Sequence, residues 1–125
     1  MNNTRRVLVL LLAACFGCGD YEVALPNGYK LVRMGRNKVV ILLPDFAGTA
    51  ISPTVRQYAV LSDVVTGYAE PPPPSLNPGS EEPELKGYFV VDTASGKTWV
   101  GLERATWLER LREFGISDEP KLIRP

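Results

Sequence analysis

The alternation of apolar and polar positions predicts short β-strands over most of the chain beyond residue 20. Residues 29–33, YKLVR, alternate between the two classes, whereas residues 38–43, KVVILL, form the continuous apolar run typical of a strand covered on both faces. Further strand-like runs occupy residues 21–25, 55–61 and 64–68. The segment that begins at Thr54 is also compatible with a short helix.

Residues 87–102, GYFVVDTASGKTWVGL, carry the clearest β pattern. Two β-rich runs flank a connection that contains Gly, which predicts a hairpin with Asp92 at the entry of the turn and Gly96 available for a positive φ. Alternation along the first run predicts two opposite faces, one with Tyr88 and Val90 and the other with Phe89 and Val91.

Residues 103–114 are predicted to form the one helix of the domain. Their apolar residues recur at helical spacing and form a single stripe: Trp107, Leu108, Leu111 and Phe114. Gly115 can take the left-handed position after the helix, which lets Ile116 fold back on Leu111. The predicted fold class is therefore α+β, a small antiparallel sheet of about five or six strands with one C-terminal amphipathic helix packed on it.

Residues 70–84, EPPPPSLNPGSEEPE, have little to bury. Their length and polarity predict a flexible surface loop. The four consecutive prolines favour a polyproline-like conformation, so docking in an aromatic groove of a partner is the alternative interpretation. After the helix, residues 121–123 are predicted to be a short extended piece.

Composition removes several function classes. Lys and Arg together number 14, as do Asp and Glu, so the net charge is zero and nothing favours nucleic acid as a partner. The chain has no His, which removes the commonest general base, the commonest metal ligand and the usual partner of a nucleophilic Ser or Cys.

The start of the chain has the layout of an export signal. Residues 2–6, NNTRR, place two positive charges before residues 7–14, VLVLLLAA, which are apolar throughout. A run of about eight apolar residues is too short to span a bilayer, which needs about 20. A basic segment, a short apolar segment and small residues in this order are typical of a secretory signal.

The motif LAAC at residues 12–15 resembles the lipobox of bacterial lipoproteins, Leu-small-small-Cys. The resemblance implies that the Cys15 thiol receives a diacylglyceryl group and that the chain is cleaved between Ala14 and Cys15. Residues 1–14 would then be a signal peptide that is removed. Residues 15–125 would be a single mature domain, anchored by lipid in the bacterial cell envelope and facing the periplasm or the exterior.

Cys18 is the alternative lipid acceptor, although the bulky Phe16 stands where the pattern has a small residue. A secretory peptide cleaved without lipid, or an uncleaved core strand, is the other interpretation of this segment. Cys15 and Cys18 also form a C-x-x-C pair, but a strand-like run follows them where a redox motif needs a helix. Two cysteines without His or a further Cys cannot close a zinc site.

Two further motifs favour structural roles. Residues 95–98, SGKT, end like a phosphate-binding loop, but Val91 stands where that pattern needs Gly, and a strand follows instead of a helix. Three acidic residues stand at predicted strand ends, where turn-forming Asp is commoner than an acid–base pair: Asp45, Asp63 and Asp92.

The acidic run of the loop could hold a divalent cation only weakly, and a solvated run is the simpler interpretation: Glu81, Glu82 and Glu84. No catalytic residue, metal ligand or cofactor site is therefore predicted.

Eight aromatic residues are candidates for a core or, where exposed, for a binding patch: Tyr21, Tyr29, Tyr58, Tyr68, Tyr88, Phe89, Trp99 and Trp107.

The order of LPNGYKLVR, GYFVVDTASGKTWVGL and a W-x3-L-x2-F-G-I helix resembles small bacterial envelope proteins, and this resemblance implies no activity or site residue. The sequence predicts a lipid-anchored protein that acts as a non-enzymatic binding or accessory module. An immunity or exclusion factor at the membrane surface is the alternative, and a small hydrolase is disfavoured by the missing His. The predicted partners are the membrane, through the lipid, and another protein; neither nucleic acid nor a small-molecule substrate is indicated.

Overall fold

The computed structural model describes residues 21–35, 38–71 and 86–125. The predicted signal peptide, Cys15 and Cys18, and residues 72–84 of the predicted loop lie outside these ranges. Glu70, the first residue of that loop, is described and belongs to a strand.

Within these residues, the fold is α+β, with eight strands in two antiparallel sheets of four. The first sheet contains, in chain and spatial order, β1 (Glu22–Ala24), β2 (Lys30–Arg33), β3 (Val39–Leu42) and β4 (Thr49–Ile51). The second sheet contains, also in order, β5 (Thr54–Leu61), β6 (Val64–Glu70), β7 (Gly87–Asp92) and β8 (Lys97–Leu102). Helix α1 (Arg104–Glu113) follows β8.

The α+β class is confirmed, but the predicted single sheet of five or six strands is wrong. Strand β4 has only three residues and stands close to Gly48 and Pro53, so it is too short for an alternating pattern to reveal it. The chain passes from the first sheet to the second at Ser52 and Pro53. Because Pro has no N–H to donate, it favours a break in the ladder at this point. The segment that begins at Thr54 is strand β5, not a helix.

Two hydrophobic cores lie between three layers. The first core joins the two sheets and contains the following buried residues: Leu25, Tyr29, Leu31, Val39, Ile41, Ile51, Val55, Val65, Ala69, Phe89 and Val91. The second core joins the other face of the second sheet to α1 through Val64, Val90, Trp107 and Leu111. Strand β7 therefore separates the cores, and its predicted alternation is confirmed, because Tyr88 and Val90 face the helix whereas Phe89 and Val91 face the first sheet.

Helix α1 packs against β7 through the predicted apolar stripe. The Trp107 ring stacks on the Tyr88 ring, with 4.1 Å between centroids and 13° between planes. The helix ends as predicted, because Gly115 has φ +80°, its N–H donates to the Arg112 carbonyl at 2.9 Å, and the Ile116 N–H donates to the Leu111 carbonyl at 3.0 Å. This pair of hydrogen bonds is a Schellman motif.

The two ends of the sheet sandwich differ in what they carry. We call one end the entry end, because β1 begins there after Tyr21, whose carbonyl accepts the Arg33 N–H at 2.9 Å. We call the opposite end the turn end. It carries four of the connections between strands: residues 26–28 and 44–48 in the first sheet, and residues 62–63 and 93–96 in the second. A hydrogen bond of 2.9 Å from Asn27 Nδ2 to Thr93 Oγ1 joins the two sheets at the turn end.

A β-bulge marks the entry-end half of β5. Val55 pairs with Ala69 and Gln57 pairs with Tyr68, so Arg56 is the extra, unpaired residue. Next to it, Gly67 approaches β5 so closely that a Cβ on Gly67 would lie 2.8 Å from the Tyr58 Cα and still closer to the Gln57 carbonyl oxygen. A bulge redirects the side chain of the extra residue and increases the local twist.

The C-terminal tail returns to the outer edge of β5. Ile123 and Tyr58 exchange two backbone hydrogen bonds, of 2.8 and 2.9 Å, in an antiparallel bridge. The predicted extended piece at residues 121–123 is thus confirmed at Ile123. The bridge fixes the position of Arg124, the next residue, beside the start of β5.

Candidate functional site

The candidate site is an open cavity of about 400 Å³ between the two sheets at the entry end. We call it the basic mouth, and it is lined by Arg33, Val39, Thr54, Val55, Arg56, Gln57, Arg124 and Pro125. Concave sites with a few convergent polar groups are the usual form of a ligand site. Three of the lining side chains carry guanidinium groups.

Arg33 comes to the mouth because it continues the inward face of β2. Leu31, two residues earlier, lies in the first core, and alternation directs Arg33 to the same side at the end of the strand. Its Nε donates a hydrogen bond to the Gly35 carbonyl at 3.3 Å, and its guanidinium lies 5.7 Å from the centroid of the Tyr21 ring. Arg33 is therefore held by the surrounding structure before any ligand arrives.

Tyr21 forms part of the wall behind Arg33. Its hydroxyl is shielded from solvent and has no hydrogen-bond partner among the described residues. Burial raises the pKa of the Tyr21 phenol, the positive charge of Arg33 partly opposes this rise, and Tyr58 adds to it. The folded structure therefore favours the neutral form of the Tyr21 phenol.

Arg56 and Arg124 reach the mouth by two irregular features of the second sheet. Arg56 is the extra residue of the β5 bulge, and its Nε lies 3.5 Å from Oε2 of Glu70. Arg124 follows the Ile123 bridge and is exposed. The three cations therefore come from three separate parts of the chain.

A guanidinium group donates several N–H bonds in a planar fork that matches the oxygens of a phosphate or a carboxylate. The basic mouth can therefore bind an anionic group.

A second surface lies at the turn end, around the β3–β4 connection. Phe46 is 65% exposed, and Lys30 Nζ lies 4.5 Å from the centroid of its ring. Asp45 and Phe46 have φ +58° and +56°, a left-handed conformation that side chains other than Gly adopt at an energetic cost. Phe46 is therefore a solvent-facing aromatic on a strained turn.

The three Asp residues predicted to stand at strand ends are all described. Asp92 has the predicted turn role, because its carboxylate accepts the Ala94 N–H at 3.2 Å and the Ser95 hydroxyl at 2.6 Å. Asp63 and Asp92 line one open groove of about 550 Å³ beside the end of α1, and Asp45 is not among the residues that line it.

The structure also places the other predicted motifs. Ser95 and Gly96, the latter at φ +82°, end the turn at residues 93–96, and Lys97 and Thr98 begin strand β8, as expected for turn chemistry. Cys15, Cys18 and the acidic run of Glu81, Glu82 and Glu84 lie outside the described residues. Within the described residues, no group of three or more Cys, Asp or Glu side chains could hold a metal ion.

The eight aromatic residues predicted as core or patch are all buried or half-buried. Among the described residues, the exposed aromatic is Phe46, which the pattern of the sequence did not indicate. Arg33, Arg56 and Arg124 were missed as well. Arg33 alone had a sequence signal, because YKLVR places it on the same face as the apolar Tyr29 and Leu31.

Comparisons with known proteins add no assignment. No protein-family model matches the chain, no curated protein matches it, and no solved structure matches its fold. Among the described residues, no helix has the length and apolar character needed to cross a bilayer.

Proposed function

We propose that the protein is a lipid-anchored component of the bacterial cell envelope and acts as a non-enzymatic binding module. Cys15 is the proposed lipid acceptor, with Cys18 as the alternative. The proposed partner is a protein with an apolar pocket that receives Phe46. The observation that carries the proposal is the exposure of this aromatic side chain on a strained backbone at the turn end.

The strain at Phe46 supports a role in binding. The left-handed region costs a residue with a Cβ about 1–2 kcal/mol, and a fold retains such a residue where neighbouring contacts hold it. Here the Leu43 N–H donates to the Gly48 carbonyl at 2.8 Å and the Ala47 N–H donates to the Pro44 carbonyl at 3.2 Å, which closes the turn. Because 65% of Phe46 is exposed, burial in the fold does not compensate for the strain.

The position of Phe46 also supports the proposal. The turn end is the end of the sandwich opposite Tyr21, so a domain anchored through Cys15 presents Phe46 away from the anchor. Aromatic side chains that enter a pocket supply much of the binding free energy in protein interfaces. An anchored module with its aromatic residue at the far end fits capture of a partner from the aqueous side.

The experiment has a separate arm for each half of the proposal. For the anchor, cells that express the full chain are given labelled palmitate, and wild type is expected to incorporate the label whereas Cys15→Ala is not. If Cys15→Ala still incorporates the label and Cys18→Ala does not, Cys18 is the lipid acceptor. Absence of label from wild type would contradict the anchor.

For the partner, the tagged full chain is purified from detergent-solubilised envelope as wild type, Phe46→Ser and Met34→Ser. Met34 is the matched control, because it is 56% exposed and lies at the entry end. A protein that co-purifies with wild type and Met34→Ser but not with Phe46→Ser is the expected result. Recovery of the same proteins with all three variants would contradict binding through Phe46.

A further inference from the structure

We propose that the open groove at the turn end receives an arginine side chain of a protein partner. The groove lies beside the end of α1 and has a volume of about 550 Å³. We call it the acidic groove, and the side chains that decide its chemistry are Leu61, Asp63, Val64, Asp92, Phe114 and Ile116. The inference rests on the proposed function, because it assigns a second contact to the partner that receives Phe46.

One part of the acidic groove is apolar. Val64 is a buried member of the second core, and Phe114 and Ile116 are half-buried and pack against the same core. Leu61 is also half-buried. The aliphatic stems of long cationic side chains cover apolar surface of this kind while their charged heads stay in a polar environment. The groove therefore has a surface for the stem of such a side chain.

The strand register brings two carboxylates to this apolar surface. Asp92 is the Cα partner of Val64 in the pairing of β6 with β7, and Asp63 directly precedes Val64. The Thr93 N–H donates to the Asp63 carbonyl at 3.0 Å, which ties the two turns together. Asp63 and Asp92 therefore line one groove although 28 residues separate them along the chain.

The hydrogen bonds of these carboxylates come from neutral donors. Asn27 Nδ2 donates to Oδ1 of Asp63 at 3.4 Å. Asp92 accepts the Ala94 N–H at 3.2 Å and the Ser95 hydroxyl at 2.6 Å. A carboxylate has about four lone-pair positions, so both groups can accept further hydrogen bonds.

Two cations lie near the acidic groove but outside its lining. Lys97 is the Cα partner of Asp92 across the hairpin of β7 and β8, and Arg112 lies in the last turn of α1. Both are exposed, and within the described residues neither forms an ion pair with Asp63 or Asp92. The lining has two carboxylates and no Lys or Arg among the described residues, so it is complementary to a cation from a partner.

Arginine fits this combination better than lysine. A planar guanidinium donates to carboxylates in a fork and also stacks on an aromatic ring. Asp63 and Asp92 supply the acceptors, and Phe114 supplies the ring. The ammonium of lysine is a compact and strongly hydrated charge, so it gains less from an aromatic wall.

The acidic groove is continuous with the turn that carries Phe46. Asn27 contacts Asp63 on one side. On the other side, the neighbouring Gly28 packs so closely on Pro44 that a Cβ on Gly28 would lie 3.2 Å from the Pro44 Cβ. Pro44 begins the connection that contains Phe46. One protein could therefore cover Phe46 and place an arginine in the groove, which favours a protein as the occupant.

The test uses the arginine side chain alone as a probe. The full chain, isotope-labelled and isolated from envelope membranes in an uncharged detergent, is titrated with N-acetyl-arginine methylamide and followed by NMR. N-acetyl-citrulline methylamide has nearly the same shape without the charge. The arginine probe should shift the amide signals of Val64, Gly115 and Ile116 saturably, and the citrulline probe should bind about tenfold more weakly. Equal affinity for the two probes would overturn the proposal.

Two variants locate the binding. Asp63→Asn/Asp92→Asn keeps the side-chain shapes and should weaken the arginine probe by about tenfold. The matched variant Glu103→Gln/Glu109→Gln removes the same charge at exposed positions outside the groove and should change the affinity by less than about twofold. Unchanged affinity in the aspartate variant, or an equal loss in both variants, would contradict binding in the groove.

Free arginine distinguishes a protein partner from a small molecule. Its side chain is that of the probe, but its backbone amine and carboxylate are charged, as they are not within a protein. We expect it to bind no more tightly than the blocked probe. If free arginine binds about tenfold more tightly, the groove recognises the amino acid itself, and its assignment to a protein partner is wrong.

The acidic groove and the Phe46 contact fail in different ways. In the co-purification experiment, the aspartate variant should lose the protein that Phe46→Ser loses, and the matched glutamate variant should keep it. If the aspartate variant retains that protein, the groove lies outside the interface and this inference alone fails. If no protein depends on Phe46, the proposed function fails, whereas the probe titration, repeated on Phe46→Ser, still decides whether the groove binds arginine.

Discussion

The indole Nε1 of Trp107 donates a hydrogen bond of 2.6 Å to Oγ1 of Thr66, which joins helix α1 to the centre of the second sheet. The Thr66 hydroxyl in turn donates to the carbonyl oxygen of Phe89 at 2.6 Å. Thr66 is fully buried and Trp107 is 1% exposed, so neither group has water as an alternative partner. The hydrogen bond therefore fixes where along the sheet the helix packs.

Replacing Thr66 by Val should destabilise the domain by about 1–3 kcal/mol, because Val keeps the shape and leaves the Trp107 N–H buried without a partner. Thr98→Val is the matched control. It makes the same change at an exposed position of β8 and should alter the free energy of unfolding by less than about 0.5 kcal/mol. Urea unfolding followed by Trp fluorescence measures both, and equal costs would show that the hydroxyl of Thr66 contributes nothing specific.

Replacing Gly67 by Ala should cost about 3 kcal/mol or more, because the new Cβ would collide with the backbone of Gln57 and Tyr58 and neither can move without disturbing the β5 bulge. Gly115→Ala is the comparison. A Cβ there has no atom within 4 Å, so only the strain of φ +80° remains, at about 1–2 kcal/mol. If thermal unfolding shows that Gly115→Ala costs as much as Gly67→Ala, the close approach at Gly67 is not the cause.

The two parts of the chain that were best predicted from sequence are those whose structure depends on near neighbours. The stripe through Trp107 and Leu111 and the glycine at residue 115 specify the helix and its end locally. The hairpin of β7 and β8 follows from two apolar runs and one turn. Each of these patterns is complete within about 16 residues, which is why alternation and turn chemistry were sufficient.

The division into two sheets and the composition of the basic mouth depend on contacts between distant residues. Whether β4 pairs with β3 or continues into β5 is decided by packing across the whole sandwich, and no local pattern encodes it. Arg124 reaches the mouth only because Ile123 pairs with Tyr58, 65 residues away in sequence. Phe46 could not be predicted either, since a left-handed Phe contradicts its intrinsic preference.

The hydrogen bond from Asn27 to Thr93 should contribute to holding the two sheets together at the turn end. Asn27 has φ +57°, so Asn27→Gly removes the side chain without adding backbone strain and should cost about 0.5–1.5 kcal/mol. Asn27→Ala loses the same hydrogen bond and adds the strain of a Cβ, so it should cost about 1 kcal/mol more. Chemical denaturation measures the loss in free energy of unfolding for both variants. A smaller loss in Asn27→Ala than in Asn27→Gly would contradict this prediction.

Alkaline pH should destabilise the protein through Tyr21. Burial raises its pKa in the folded state above the ordinary value of 10.0, so the folded state favours the neutral phenol. The stability due to this shift is fully present below about pH 10 and is lost as the pH rises through the folded-state pKa. Wild type should therefore lose more stability than Tyr21→Phe between pH 7 and about pH 11.

At pH 7 the Tyr21→Phe variant should be as stable as wild type or slightly more so, because it removes a buried hydroxyl with no hydrogen-bond partner among the described residues. The measurement is the free energy of unfolding of both proteins at the two pH values. A difference between them that does not change with pH would show that the Tyr21 phenol titrates alike in the folded and unfolded states.

The bridge between Ile123 and Tyr58 has a consequence for solubility. Strand β5 is the outermost strand of its sheet, and an uncovered strand of this kind offers free N–H and C=O groups to any other extended chain. Val60, two residues from Tyr58, is exposed, and its apolar side chain would strengthen such edge-to-edge pairing. By pairing with Tyr58, the tail covers part of this edge and so opposes edge-to-edge association between copies of the chain.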